Sequence, residues 1–151
     1  QSTSGEGWTV IQRRVDGSVN FSRPWVEYKQ GFGNKAGEFW LGLEKIHAMT
    51  SQRRYRLRFD MEDFEGNTRY AEYDDFEIED EPNCYRLVAI GNYKGDAGDR
   101  LGYCIGSNFT TKDSANDYYG ENIAVMHGGA GWWFPGIILA NPNGVYSTAG
   151  N

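Results

Sequence analysis

Apolar and polar positions alternate most regularly over residues 55–63. Tyr55, Leu57, Phe59 and Met61 fall on one side and Arg56, Arg58, Asp60 and Glu62 on the other. Strand side chains project to opposite faces with a period of two, so this stretch predicts a half-buried strand. Glu65-Gly66-Asn67 supplies a turn, and residues 69–73 return antiparallel to it. Upstream, residues 8–15 read as a first strand, Asp16-Gly17 as a turn signal and residues 19–21 as a short return. Pro24 suits the first turn of a helix over residues 25–30, which Gly31 ends. Leu41, Ile46 and Met49 stand at roughly helical spacing and predict a second helix over residues 41–49. Residues 76–78 form another strand before Asp80-Glu81-Pro82 breaks the run. Residues 84–90 and 101–104 read as strands joined across a turn at 91–98, as in a long hairpin. From Gly106 onward the pattern is irregular, with glycines, asparagines, Pro135 and Pro142.

This order of elements predicts an α+β fold: a twisted antiparallel sheet, short flanking helices and a loop-rich C-terminal lobe. The 151 residues suit a single domain over 1–151. Its sheet-and-helix part covers about 7–105 and its lobe about 106–151. No repeat, linker or second domain interrupts it. Gly31, Gly33, Gly37 and Gly42 permit sharp turns, and Phe32, Phe39 and Trp40 supply the apolar area that pins them. Chains built this way are loop-rich recognition domains more often than metabolic enzymes.

Twenty glycines and only 24% charged residues argue against a helical bundle. A formal net charge of -6 repels phosphate backbones, which argues against a nucleic-acid partner. The basic run Arg53, Arg54, Arg56 and Arg58 reads first as one charged strand face and only second as an anion site. No run approaches the ~18 apolar residues that span a bilayer, so no membrane insertion is expected. The opening Gln1-Ser-Thr-Ser-Gly-Glu6 is polar and is no signal peptide, which leaves a secreted mature chain open. Cys84 and Cys104 cannot build a four-ligand zinc site, and the two histidines lack ligand spacing relative to them. If their strands pair, a cross-strand disulfide would contribute ~3 kcal/mol in the chain-entropy model; two buried thiols are the alternative. Asn20-Phe21-Ser22 and Asn108-Phe109-Thr110 are glycosylation sequons that lean toward an extracellular, secreted chain.

Enzyme signatures are absent: there is no Gly-x-Ser-x-Gly, phosphate loop or His-Glu-x-x-His. His47 reads as a surface or cap residue on the second helix. His127 stands near Asp117 and Glu121 in sequence, but nothing selects it as an acid or base. Glu62, Asp63, Asp74, Asp75, Glu77 and Glu79 are scattered over strands and turns, and no pair stands out for glycoside hydrolysis. Trp132-Trp133-Phe134 has two readings, core packing (favoured for Trp132) or a platform for sugars. Ile137-Ile138-Leu139 either plugs the lobe or forms a contact patch.

Several blocks carry a family resemblance in one order. They are Gly7-Trp-Thr-Val-Ile-Gln-Arg-Arg14, Asp16-Gly-Ser-Val-Asn-Phe21, Trp25-Val-Glu-Tyr-Lys-Gln-Gly-Phe-Gly-Asn34 and Glu38-Phe-Trp-Leu-Gly42. Tyr70-Ala-Glu-Tyr73, Ala97-Gly-Asp99, Phe109-Thr-Thr-Lys-Asp113, Gly131-Trp-Trp133 and Asn143-Gly-Val-Tyr146 continue it. Together they resemble the fibrinogen C-terminal-like domain, nearest to angiopoietin-like and fibrinogen gamma-type members. The resemblance implies a domain that extends further at both ends, with a segment after Asn143-Gly-Val-Tyr146 returning to the central sheet.

The resemblance also implies a calcium loop. In the family it uses two aspartates one residue apart plus backbone carbonyls. Here the second aspartate matches Asp117 and the carbonyls match Tyr119 and Glu121, but the first falls at Ala115. Asp113 and Glu121 are the groups left to compensate, so calcium is a weakened expectation and no other cofactor is expected. The family's ligand pocket lies beside this loop, between paired cysteines whose places are taken by Ile123 and Ile137, with Ile138 where a histidine often stands. The implied ligand contacts are therefore Trp132, Trp133, Ile137 and Ile138. The implied function is a non-enzymatic, extracellular recognition module of lectin-like or innate-immunity type. It would bind a cell-surface receptor or protein surface, or a glycan or acetylated group, with protein contact favoured. The alternative is an engineered or degenerate scaffold that keeps the fold without the sites. No heptads occur, so oligomers would need segments outside this chain.

Overall fold

The computed structural model describes residues 7–116, 122–135 and 142–143. Its strands form three antiparallel sheets. In the first, β3 (Phe39–Trp40) lies between β1 (Gln12–Arg13) and β2 (Phe32–Gly33), with Trp40 opposite both Gln12 and Phe32. In the second, β5 (Thr68–Tyr73) lies between β4 (Leu57–Glu62) and β8 (Tyr93–Gly95). Leu57 faces Tyr73 and Glu62 faces Thr68, the hairpin that the alternation predicts. The third pairs β6 (Glu77–Ile78) with β7 (Leu87–Ala89).

Helix α1 (Trp25–Gln30) has the predicted bounds. The Pro24 carbonyl accepts the amides of Glu27 and Tyr28, and Asp113 Oδ1, from far along the chain, accepts that of Trp25 at 2.8 Å. Gly31 ends the helix at φ +98°. A Cβ there would lie 2.4 Å from the Leu41 carbonyl oxygen, and one on Gly42 would lie 2.7 Å from that of Gln30. The end of α1 and the entry to α2 (Leu43–Gln52) therefore touch backbone to backbone, which only glycine allows. That contact, with Gly42 at φ +115°, delays α2 by two residues relative to the sequence expectation.

The predicted return strand at 19–21 does not form, and only Gln12 and Arg13 of the predicted first strand enter a ladder. The cause is Glu38. Its buried carboxylate accepts the amides of Val15, Asp16 and Gly17 on Oε2, each at 2.7 Å, and that of Val19 on Oε1 at 3.1 Å. Amides captured this way cannot pair in a hairpin. Burial works against ionisation of Glu38, but the four amides outweigh it and hold its pKa at about 2.

The cysteine hairpin is also corrected. Cys84 and Tyr85 lie in the left-handed region, at φ 57° and 48°, and end a 3-10 turn at Glu81–Asn83. The strand expected from residue 84 begins only at Leu87, and the expected turn at 91–98 contains β8. Leu101–Cys104 is a second 3-10 turn, so the cysteines do not face each other in a ladder. Both are free thiols, Cys84 half-buried and Cys104 buried.

One aromatic core joins both ends of the described chain. Phe109 and Trp133 meet edge-on with centroids 5.0 Å apart, Phe109 lies 6.1 Å from Trp40 and 5.4 Å from Tyr28, and Trp132 meets Trp133 at 4.8 Å. The irregular segment after Gly106 thus contributes Phe109, Trp132, Trp133 and Phe134 to the same cluster as α1, α2 and the sheets. Burial of such rings is the dominant stabilising term.

Candidate functional site

A groove of about 660 Å³ opens among the described residues. Residues 7–13 and residues 53–60, which run into β4, line it. Its floor is apolar, with Ile11, Ile46, Phe59, Phe76, Trp132 and Trp133. Among the described residues β4 pairs with β5 only, and its residues Leu57 to Asp60 line this groove. The rim is basic, but its charges meet acids of the same face. Arg56 and Arg58 reach Glu72 at 3.2 and 3.1 Å, and Arg58 Nε donates to Asp60 at 2.9 Å. Arg54 lies 3.8 Å from Asp74 and 3.9 Å from Asp75. The arginines form a charged face against their own carboxylates.

The two tryptophans that close the floor differ in their polar ends. Trp133 Nε1 donates to the Tyr85 carbonyl at 2.7 Å. Trp132 Nε1 is buried without a hydrogen-bond partner. Its neighbour Cys104 is pushed up to about 11 by burial, which outweighs an opposing pull from the Trp132 indole that falls short of hydrogen-bond geometry. Trp132 and Trp133 are 3% and 2% exposed. They belong to the core and offer no open stacking face for a sugar.

The loop at 107–116 is tied down by side-chain amides. Asn116 Nδ2 donates to the Phe109 carbonyl at 3.0 Å, and Asn122 Nδ2 to those of Thr111 and Lys112 at 2.9 and 3.1 Å. Asn122 Oδ1 also caps α3 (Ile123–Met126), a short helix that the sequence did not suggest. Asp113 Oδ1 accepts from the Trp25 amide and from Thr111 Oγ1 at 2.7 Å. The carboxylate assigned to calcium is thus half spent on capping α1, and exposed Ala115 brings no side-chain oxygen. Among the described residues no three His, Cys, Asp or Glu side chains gather as a metal site. These residues do not fit a calcium ion by themselves. Asp117, Tyr119 and Glu121, and likewise Ile137 and Ile138, lie outside the described residues. Ile123, in the place of one family cysteine, is buried in the core.

His47 Nδ1 lies 2.9 Å from the Ile78 carbonyl and ties α2 to β6, while exposed His127 ends α3. The sequence reading missed the role of Glu38; a lone carboxylate inside the run Gly37-Glu38-Phe39-Trp40 is the signal that could have found it.

The whole chain, residues 1–151, matches the family described as fibrinogen beta and gamma chains, C-terminal globular domain. The chain belongs to this family. It is 49% identical to bovine Angiopoietin-4 over 97% of its own length and 29% of the relative's. It is 47% identical to Fibrinogen C domain-containing protein 1-A of Xenopus laevis over 97% of its length and 33% of the relative's. The chain spans about a third of the length of these relatives. Among solved structures, the fibrinogen-like globe domain of human ANGPTL2 superposes with a TM-score of 0.93 at 47% identity, covering 97% of this chain and 67% of that one. A lamprey fibrin D-dimer, described as complexed with the peptide ligand Gly-His-Arg-Pro-amide, gives 0.90 at 42% identity, covering 99% of this chain and 52% of that one.

The α+β expectation and the family resemblance both hold. Fibrinogen-like domains of this kind are non-enzymatic binding modules. No helix among the described residues is long and apolar enough to cross a membrane.

Proposed function

We propose that this chain is an extracellular, secreted recognition module that binds a protein surface, in the first place a cell-surface receptor. One observation carries the choice of protein over glycan. Trp132 and Trp133, the aromatics best suited to stack on a sugar, are buried and committed to the core. The peptide ligand of the lamprey relative supports the same choice. Large apolar side chains are available at the surface for such contacts, among them Tyr103, Ile105, Val125 and Met126. A panel of immobilised receptor ectodomains, run beside a glycan and acetyl-sugar array, tests this reading. Saturable binding to an ectodomain with a silent array is expected. Binding to the array alone would overturn it.

A second reading, a degenerate or engineered scaffold, draws on the calcium loop. Asp113 serves as a helix cap and Ala115 stands where the family places an aspartate. Silence on both the ectodomain panel and the array would favour it.

A further inference from the structure

We propose that the folded, secreted protein carries an N-linked glycan on Asn20 and none on Asn108, although both stand in sequons. This rests on the extracellular reading, since the transfer takes place in the secretory lumen. There the side-chain amide nitrogen attacks the anomeric carbon of an oligosaccharide held on a lipid pyrophosphate. A carbon–nitrogen bond forms and the bond from that carbon to the pyrophosphate oxygen breaks. The electron pair leaves with the lipid pyrophosphate and the amide gives up one proton.

The two asparagines differ in what the folded chain asks of that nitrogen. Asn20 is exposed, and its fixed atom is the oxygen: Oδ1 accepts the Ser22 amide at 2.8 Å in a local turn. Its backbone carbonyl accepts from Arg23 Nε at 2.6 Å, which fixes the turn from outside. None of these bonds uses Nδ2, so a sugar on it leaves every one of them in place. The chain on its N-terminal side, residues 15–18, is exposed as well, so the glycan extends into solvent.

Asn108 is the opposite case. It is half-buried, and Nδ2 itself donates to the Asn116 carbonyl at 3.3 Å. Phe109 and Thr110, the rest of the sequon, are completely buried. The Phe109 amide donates to the Cys84 carbonyl at 2.9 Å, and Thr110 Oγ1 accepts the Asn116 amide at 3.1 Å. A glycan on Asn108 would crowd the loop that Asn116 closes and compete with the bond that holds it. Transfer precedes folding, so a chain modified there would be withdrawn from the folded pool.

The test is expression of the full chain behind a secretory leader in a eukaryotic cell. Amidase release of the glycans in heavy-oxygen water then converts each modified asparagine to a labelled aspartate, which peptide mass spectrometry locates. The expected result is label at residue 20, none at residue 108, and loss of the amidase-sensitive gel shift in Asn20→Gln. Folded protein unlabelled at residue 20, or labelled at residue 108, would overturn the proposal. Sugar-free chain made in bacteria reads receptor binding separately, so failure of the glycan and failure of the recognition reading are told apart.

Discussion

Replacing Glu38 with glutamine tests the account of residues 15–19 directly. The carboxylate collects four amides within 3.1 Å, three of them on one oxygen, and it is 1% exposed. Glutamine keeps the shape but replaces one acceptor with an NH2 group, so either three amides or one will meet a donor. The magnitude follows from titration. A fall from the ordinary 4.5 to about 2, at about 1.4 kcal/mol per tenfold change, corresponds to about 3 kcal/mol of folding free energy. The sign is set by proton binding: between pH 2 and 4.5 the unfolded chain holds more protons at this group than the folded one. The contribution is therefore complete above pH 4.5 and disappears as pH falls toward 2. Urea unfolding of the two proteins at pH 7 and at pH 3 measures it. Glu38→Gln should be about 3 kcal/mol less stable at pH 7, a midpoint lower by roughly 10 °C in a thermal scan. The gap should narrow at pH 3, because other carboxylates titrate alike in both proteins and cancel. Equal stability at pH 7, or a gap that does not change with pH, would refute the reasoning.

Three further outcomes follow from the packing. Gly31→Ala should cost about 2–4 kcal/mol by urea unfolding, because its Cβ meets main chain at 2.4 Å and φ is +98°; a loss under about 0.5 kcal/mol would contradict that contact. Trp133→Phe leaves the Tyr85 carbonyl unpaired, whereas Trp132→Phe removes a donor that has no partner, so the first should cost about 1–2 kcal/mol more than the second. Equal losses would show that ring volume alone matters. Millimolar calcium should leave the thermal midpoint unchanged, since the described part of the loop has Asp113 committed to the Trp25 amide and Ala115 in place of a carboxylate. A rise of several degrees would restore the metal site.

Local signals were legible where local forces decide. Pro24 and Gly31 bracket α1 correctly, and the alternation from Leu57 onward gives the β4–β5 hairpin, because turn chemistry and period-two patterning act within a few residues. The failures trace to distant partners. Val19 would extend a hairpin if Glu38 did not capture its amide from nineteen residues away. Cys84 and Tyr85 take left-handed conformations that their side chains do not advertise, and the strand begins late as a result. At the candidate site, the family blocks did not disclose that Asp113 caps a helix or that Trp132 closes a groove. Those roles depend on contacts between residues some 90 positions apart.

The glycine contact between Gly31 and Gly42 has a mechanical side. Helix α1 is only six residues long, fixed at its start by the Asp113 carboxylate and at its end by bare main chain against the entry to α2. The atoms nearest to both glycines at that second joint are backbone. A displacement of the 107–116 loop therefore bears on α1 through the Asp113–Trp25 hydrogen bond, and α1 bears on the entry to α2 through main chain alone.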